Sequence, residues 1–159
     1  MRVKAIVDED FVNYKKASMF IATCFCDWKC CTEGGFSKEI CQNSPTALQP
    51  DIEIPYEKIF FRYIHNPITS AVVIGGLEPL WQINDILFLI SYFRAQGCND
   101  EFVIYTGYRP EEILMELGLL CQCKNIIVKF GRGKSHERRK TGRGSRCVQR
   151  PGNPRHLFG

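Results

Sequence analysis

An α/β fold built on parallel strands is what this sequence predicts, and three observations predict it. Strand-like and helix-like apolar patterns alternate along residues 19–130. The run Ala71-Val72-Val73-Ile74 is apolar throughout, as strands covered on both faces are. The helix-like patterns stand between strand-like ones, the order that right-handed crossovers between parallel strands require.

Met19 to Phe25 is a short β-branched and aromatic run, the first strand. Thr32 to Pro50 turns to Gly, Ser, Asn, Gln and Pro, which is loop chemistry. Tyr56 to His65 sets Ile59, Phe60, Tyr63 and Ile64 on one helical face, and Asn66-Pro67 stops it. After the strand at Ala71–Ile74, Gly75-Gly76 closes the run. Ile83, Ile86, Leu87, Ile90 and Phe93 follow the 3.6-residue period, with Gly97 as a stop. Phe102 to Tyr105 is the next strand, and Thr106-Gly107 its turn. Pro110 with Glu111 and Glu112 reads as the first turn of a helix: φ is fixed at the start and carboxylates face the positive dipole end. Gly118 falls near the end of that helix, and Asn125 to Phe130 is the last strand. The patterning predicts one domain over residues 1–132, a short and partial parallel barrel.

Composition narrows the function classes. With 159 residues and 45% hydrophobic content the chain is long and apolar enough for a real core. The longest unbroken apolar stretch, Ile86 to Ile90, is far too short to cross a bilayer, so no membrane partner is expected. The N-terminus lacks the apolar core of a signal peptide, which makes the cytoplasm the expected compartment. Residues 1–130 hold 12 Lys/Arg against 16 Asp/Glu, whereas residues 131–159 hold nine against the single Glu137. The basic balance therefore comes from the segment 133–159, which shows neither apolar period nor aromatic stacking series. That composition predicts a solvated end and no nucleic-acid partner. A shifted reading frame would produce the same abrupt change.

Nine cysteines are many for a reducing compartment, and Cys24, Cys26, Cys30, Cys31 and Cys41 share one 18-residue window. Such a cluster points to metal binding or redox chemistry. It begins where the first strand ends, the position at which parallel α/β sheets collect ligands. Cys26 and Cys30, with three residues between them, and Cys41 after a Gly-bearing excursion, are three thiolates for one iron–sulfur cluster, leaving an iron open. Four thiolates chosen from the same window would make a closed zinc site instead, a structural module with the basic end acting electrostatically. His65, His136 and His156 share no ligand spacing, and Cys24, Cys31, Cys98, Cys121, Cys123 and Cys147 read as structural or incidental thiols.

Three motifs together resemble the radical S-adenosylmethionine enzymes, in particular the small activating proteins of anaerobic ribonucleotide reductase and other glycyl-radical enzymes. Cys26-Asp27-Trp28-Lys29-Cys30 is similar to the first half of the family's C-x3-C-x2-C loop, and Cys41-Gln42-Asn43 to its second half, with residues 31–40 inserted. Gly75-Gly76-Leu77-Glu78-Pro79 resembles the G-G-E-P motif with one added residue. Tyr105-Thr106-Gly107-Tyr108 and Ile126 to Arg132 resemble later strands of the activating proteins. The resemblance implies a [4Fe-4S] cluster on Cys26, Cys30 and Cys41. It further implies S-adenosylmethionine bound near Ile40, Asn43, Gly75, Gly76, Glu78, Pro79 and Thr106. The implied activity is reductive cleavage of that cofactor to a 5′-deoxyadenosyl radical. The implied partners are a glycyl-radical enzyme and an electron donor such as flavodoxin or ferredoxin.

Overall fold

A computed structural model of the chain describes residues 1–131 and the short strand Ser145–Arg146. Apart from that strand, the segment 133–159 expected to be solvated, with His136, Cys147 and His156, lies outside the described residues.

The strands are β1 (Arg2–Val3), β2 (Ala5–Asp10), β3 (Ser18–Thr23), β4 (Ile52–Glu53), β5 (Ala71–Gly76), β6 (Glu101–Thr106), β7 (Ile126–Phe130) and β8 (Ser145–Arg146). Six of them form one sheet in the order β2-β3-β5-β6-β7-β8. β3, β5, β6 and β7 run parallel, and β2 and β8 pair antiparallel at the two edges. The small pair β1-β4 is antiparallel and anchored by the N-terminal ammonium, which donates to Ile54 O at 2.8 Å. The helices are α1 (Lys29–Gly34), α2 (Ser44–Ala47), α3 (Tyr56–Ile64), α4 (Ile83–Ala95) and α5 (Leu114–Leu120). The fold is mixed α/β with a mostly parallel central sheet.

Period-2 alternation decides which side chains meet the helices. Met19 and Ile21, Val72 and Ile74, Phe102 and Ile104, and Ile126 and Val128 share one buried face. Ile59 and Tyr63 of α3, Ile86, Leu89, Ile90 and Phe93 of α4, and Leu120 of α5 join the same core. Ala71, Val73, Val103 and Ile127 on the opposite face gather around Tyr14 from the β2–β3 connection, with Phe20 and Tyr105 half-buried beside them. The continuous apolar reading of Ala71–Ile74 is thus correct: all four side chains are fully buried. Phe93 is the hub, its ring 5.0 Å from Phe60, 5.3 Å from Tyr63 and 5.1 Å from Phe102.

Three segments differ from the sequence expectation. Residues 1–10, read only for their lack of a signal peptide, form two strands; Asp8, Glu9 and Asp10 mask the pattern of an edge strand whose outer side meets water. The stretch 32–50, read as loop, begins inside α1 and carries a 3-10 turn at Lys38–Ile40 and α2. Pro110–Glu112 is a separate 3-10 turn, closed by Arg109 N donating to Glu112 Oε2 at 2.7 Å, and α5 begins only at Leu114.

Among the described residues no helix is long and apolar enough to cross a membrane. Truncating the hub should be felt at once. Phe93→Ala is expected to cost roughly 3–5 kcal/mol, read as a fall in the urea midpoint. A loss under about 1 kcal/mol would mean that the surrounding rings are not packed on it.

Candidate metal centre

The carboxyl ends of β3, β5 and β6 are tied together before any cysteine is considered. Thr23 Oγ1 donates to Gly75 O at 3.1 Å, and Glu78 N donates to Phe25 O at 2.7 Å. Cys24 N donates to the Gln82 side chain at 2.7 Å. Gly76 turns the chain at φ +81°, where an added Cβ would stand 2.9 Å from Ala22 Cβ, so only glycine fits the bend. Beyond it Glu78 folds inward, 5% exposed. Its Oε1 accepts from Thr106 Oγ1 at 2.9 Å and Leu80 N at 3.2 Å, and its Oε2 from Gly107 N at 2.8 Å. Burial pushes the carboxyl above the usual range, while these three donors pull it back. A Cβ on Gly107 would lie 3.5 Å from Glu78 Oε2 and 3.9 Å from Cys30 Cβ, which sets the cysteine segment directly beside this junction.

The segment enters through a sharp turn. Trp28 adopts a left-handed φ of 58°, and its carbonyl accepts from Cys31 N at 2.9 Å and Thr32 N at 3.0 Å, opening α1. The Trp28 N–H donates to Cys26 Sγ at 3.3 Å. Asp27 accepts the Tyr108 hydroxyl at 2.6 Å, and Tyr108 in turn accepts the indole N–H of Trp81 at 3.0 Å. Lys29 pairs with Glu112 at 2.7 Å and stands over the Tyr108 ring. Both flanks of the Cys26–Cys30 loop are thereby fastened to the connection after β6.

The chain then leaves α1 through Gly35 at φ +67° and returns through the Lys38–Ile40 turn to Cys41. Cys41 N donates to Lys38 O at 3.1 Å, and Ser44 N donates to Cys41 O at 2.9 Å. Cys26, Cys30 and Cys41 are half-buried, whereas Cys31 is 7% exposed. Cys31 Sγ lies 4.0 Å from Cys30 Sγ. Burial first, then Cys30 and Cys41, push the Cys31 thiol up to about 12. Burial likewise pushes Cys26 up to about 11, with Cys30, Asp27 and Glu78 adding to it against the Trp28 N–H.

The sequence-derived residues fall as follows. Gly75, Gly76, Glu78, Pro79 and Thr106 stand at the strand ends beside the cysteine loop. Ile40 is 72% exposed, and Asn43 is half-buried with no capping hydrogen bond from its side chain. Cys24 is buried against Asp51, away from the other four. Cys121 is disulfide-bonded, and Cys98 and Cys123 are half-buried free thiols. Sequence reasoning passed over Tyr108, Asp27, Trp81, Lys29 and Gln82. The partners that tie them to other parts of the fold are 27 to 83 residues away in the chain.

The donor chemistry fits an iron–sulfur cluster. Thiolates are the usual protein ligands of such clusters, and Cys26, Cys30, Cys31 and Cys41 supply a neighbouring set. Among the described residues no three His, Cys, Asp or Glu side chains are grouped tightly enough to hold one metal ion. A multi-iron core is wider than a single ion and takes its thiolates at correspondingly wider spacing.

Two outcomes follow from this geometry. Glu78→Gln places an amide N–H against one of three donors that now face oxygen, and should cost about 1–3 kcal/mol in denaturant unfolding; an unchanged midpoint would refute the junction. Because Cys26 is a thiol at neutral pH, a metal must displace its proton, so affinity falls as pH falls. Cadmium titrated by its thiolate absorbance should bind about tenfold more tightly per pH unit for each proton displaced. Affinity independent of pH would show that Cys26 takes no part.

The comparison with known families bears on the kind of cofactor. The profile of a family described as a 4Fe-4S single cluster domain matches residues 15–149, which spans every element from β3 onward. No curated protein matches the chain. With a match over most of its length, the chain belongs to the 4Fe-4S single cluster domain family.

Proposed function

We propose that Cys26, Cys30 and Cys41 hold the [4Fe-4S] cluster and leave one iron for S-adenosylmethionine, so that the protein is an activating enzyme of the radical S-adenosylmethionine type. When bound, the pair would supply a one-electron split of the sulfonium, giving methionine and a 5′-deoxyadenosyl radical that takes a hydrogen from a glycine of a partner enzyme such as anaerobic ribonucleotide reductase.

The observation that carries this reading is a juxtaposition. The cysteine loop, the Gly75-Gly76 turn and the Glu78–Thr106 bond stand together at one end of three neighbouring parallel strands. That end is where parallel α/β sheets collect ligands. Gly75 and Gly76 present backbone without side chains, which allows close approach of the amino-acid end of the cofactor. Pro79 and the Glu78 bonds to Leu80, Thr106 and Gly107 keep that backbone from collapsing toward the cysteines. Ile40 and Asn43 flank Cys41 on the outer side, where an adenine would lie. Helices α3, α4 and α5 pack on one face of the sheet, and in the proposed partial barrel the other face would receive the partner's glycine loop.

Anaerobic reconstitution with iron and sulfide tests the reading. Uptake of about four irons per chain with broad visible absorbance is expected, and its loss in the Cys26→Ala/Cys30→Ala/Cys41→Ala variant. Reduction by dithionite or by flavodoxin or ferredoxin in the presence of S-adenosylmethionine should release 5′-deoxyadenosine. A full iron complement with no 5′-deoxyadenosine would leave a cluster domain of another function. A colourless protein holding zinc would replace the proposal with a structural site.

A further inference from the structure

The sheet face turned away from α3, α4 and α5 is covered by the chain's own β2–β3 connection. Ala71, Val73, Val103 and Ile127 gather there beneath Tyr14. Within residues 11–16 only Tyr14 is buried, while Phe11 and Val12 are 64% and 89% exposed. The connection therefore meets the core through one ring.

Its two ends are closed on each other. Asp10 pairs with Ser18 beyond a break in the β2–β3 register, and Ser18 Oγ donates to Asp10 O at 3.3 Å. The Asp10 carboxylate accepts from Val12 N at 3.1 Å and Asn13 N at 3.2 Å, and Ser70 N donates to Ala17 O at 3.0 Å. A short segment whose ends meet is a compact surface loop, and such loops open locally without the core.

The middle is held by side chains. The Tyr14 hydroxyl donates to Glu101 Oε2 at 2.9 Å, and Lys16 pairs with the same oxygen at 2.9 Å. The Tyr105 hydroxyl donates to Asn13 O, and Lys129 Nζ donates to Asn13 O at 3.5 Å and to the Tyr105 hydroxyl at 2.5 Å. That ammonium lies 5.0 Å from the centre of the Tyr14 ring and 4.7 Å from that of Tyr105. Singly such contacts are weak. Together they fasten the connection to β6 and β7 through residues on either side of Tyr14.

We propose that residues 11–17 are a latched strap, hinged at Asp10 and Ser18, which swings off as a unit and uncovers an apolar binding face. Glu101 forms one side of the latch, and Tyr105 with Lys129 the other. The strip of Ala71, Val73, Val103 and Ile127 then takes an incoming chain segment in place of the Tyr14 ring. The identity of that segment rests on the proposed function, in which this face receives the partner's glycine loop. The strap keeps the face shut until the partner arrives.

Limited trypsin digestion of the full chain reads the opening, because Lys15 and Lys16 lie within the strap. Tyr105→Phe and Lys129→Met each remove latch contacts and leave Tyr14 unaltered. Each is expected to speed cleavage after Lys15 and Lys16 about fivefold, with cleavage after Lys58 in α3 unchanged. Affinity for the apolar dye 1-anilinonaphthalene-8-sulfonate should rise by the same factor, since a ligand of the open state gains with its population. Unaltered cleavage in both variants overturns the strap. So does equal acceleration after Lys58, which marks unfolding of the whole chain. Faster cleavage with unaltered dye affinity overturns the binding face. None of these readouts needs a cluster. A chain that opens in this way yet forms no 5′-deoxyadenosine keeps the strap and loses the proposed function.

Discussion

The buried carboxylate of Glu78 is the constraint on which the rest of the site depends. A carboxylate nearly closed off from water is costly unless donors surround it. Here three do, one from its own turn and two from the end of β6. Their combined demand fixes the distance between two neighbouring strand ends and shapes the connection that follows each. Downstream of Glu78 the 3-10 turn must begin at Pro79, because Leu80 N is already committed. Downstream of Thr106, Gly107 passes between the carboxylate and Cys30, its N–H committed to Glu78 Oε2.

The cysteine loop is then hung on that frame by polar contacts at its surface. Asp27, Tyr108 and Trp81 form a chain of hydrogen bonds from the loop to two different connections, and Lys29 reaches a third element at Glu112. Individually such half-exposed contacts are weak. Collectively they restrict the loop at both Asp27 and Lys29, on either side of the left-handed Trp28, so Cys26 and Cys30 are held while the Cys31–Cys41 excursion is tied mainly through its own backbone. The segment thus combines a fastened half with a self-closed half.

The two faces of the sheet divide the work. One is sealed by α3, α4 and α5 and supplies a continuous apolar core centred on Phe93. The other carries a smaller apolar group under Tyr14 and leaves Phe20 and Tyr105 half-exposed on either side of Gly75. Stability resides mainly on the helical side, which allows the strand ends and the opposite face to carry glycines, strained turns and buried charge.

What the sequence alone determined was the order of elements and the residues of the parallel core. Period-2 and period-3.6 apolar patterns report burial directly, and they marked β3, α3, β5, α4, β6 and β7 from local text. It also pointed to metal or redox chemistry at the cysteine window, because a crowd of cysteines has few other uses in such a chain, while leaving iron–sulfur and zinc both open. The edge strand β2 stayed hidden because Asp8, Glu9 and Asp10 interrupt its apolar pattern, and the short helices of 29–47 stayed hidden because four to six residues carry no period. Only the tertiary structure decided that Glu78 turns inward to Thr106, that Tyr108 holds Asp27, and that Cys31 is buried in α1. Contacts such as Glu78–Thr106 and Tyr108–Asp27 join residues brought together by sheet pairing and crossover geometry, and no local pattern records a partner that far along the chain.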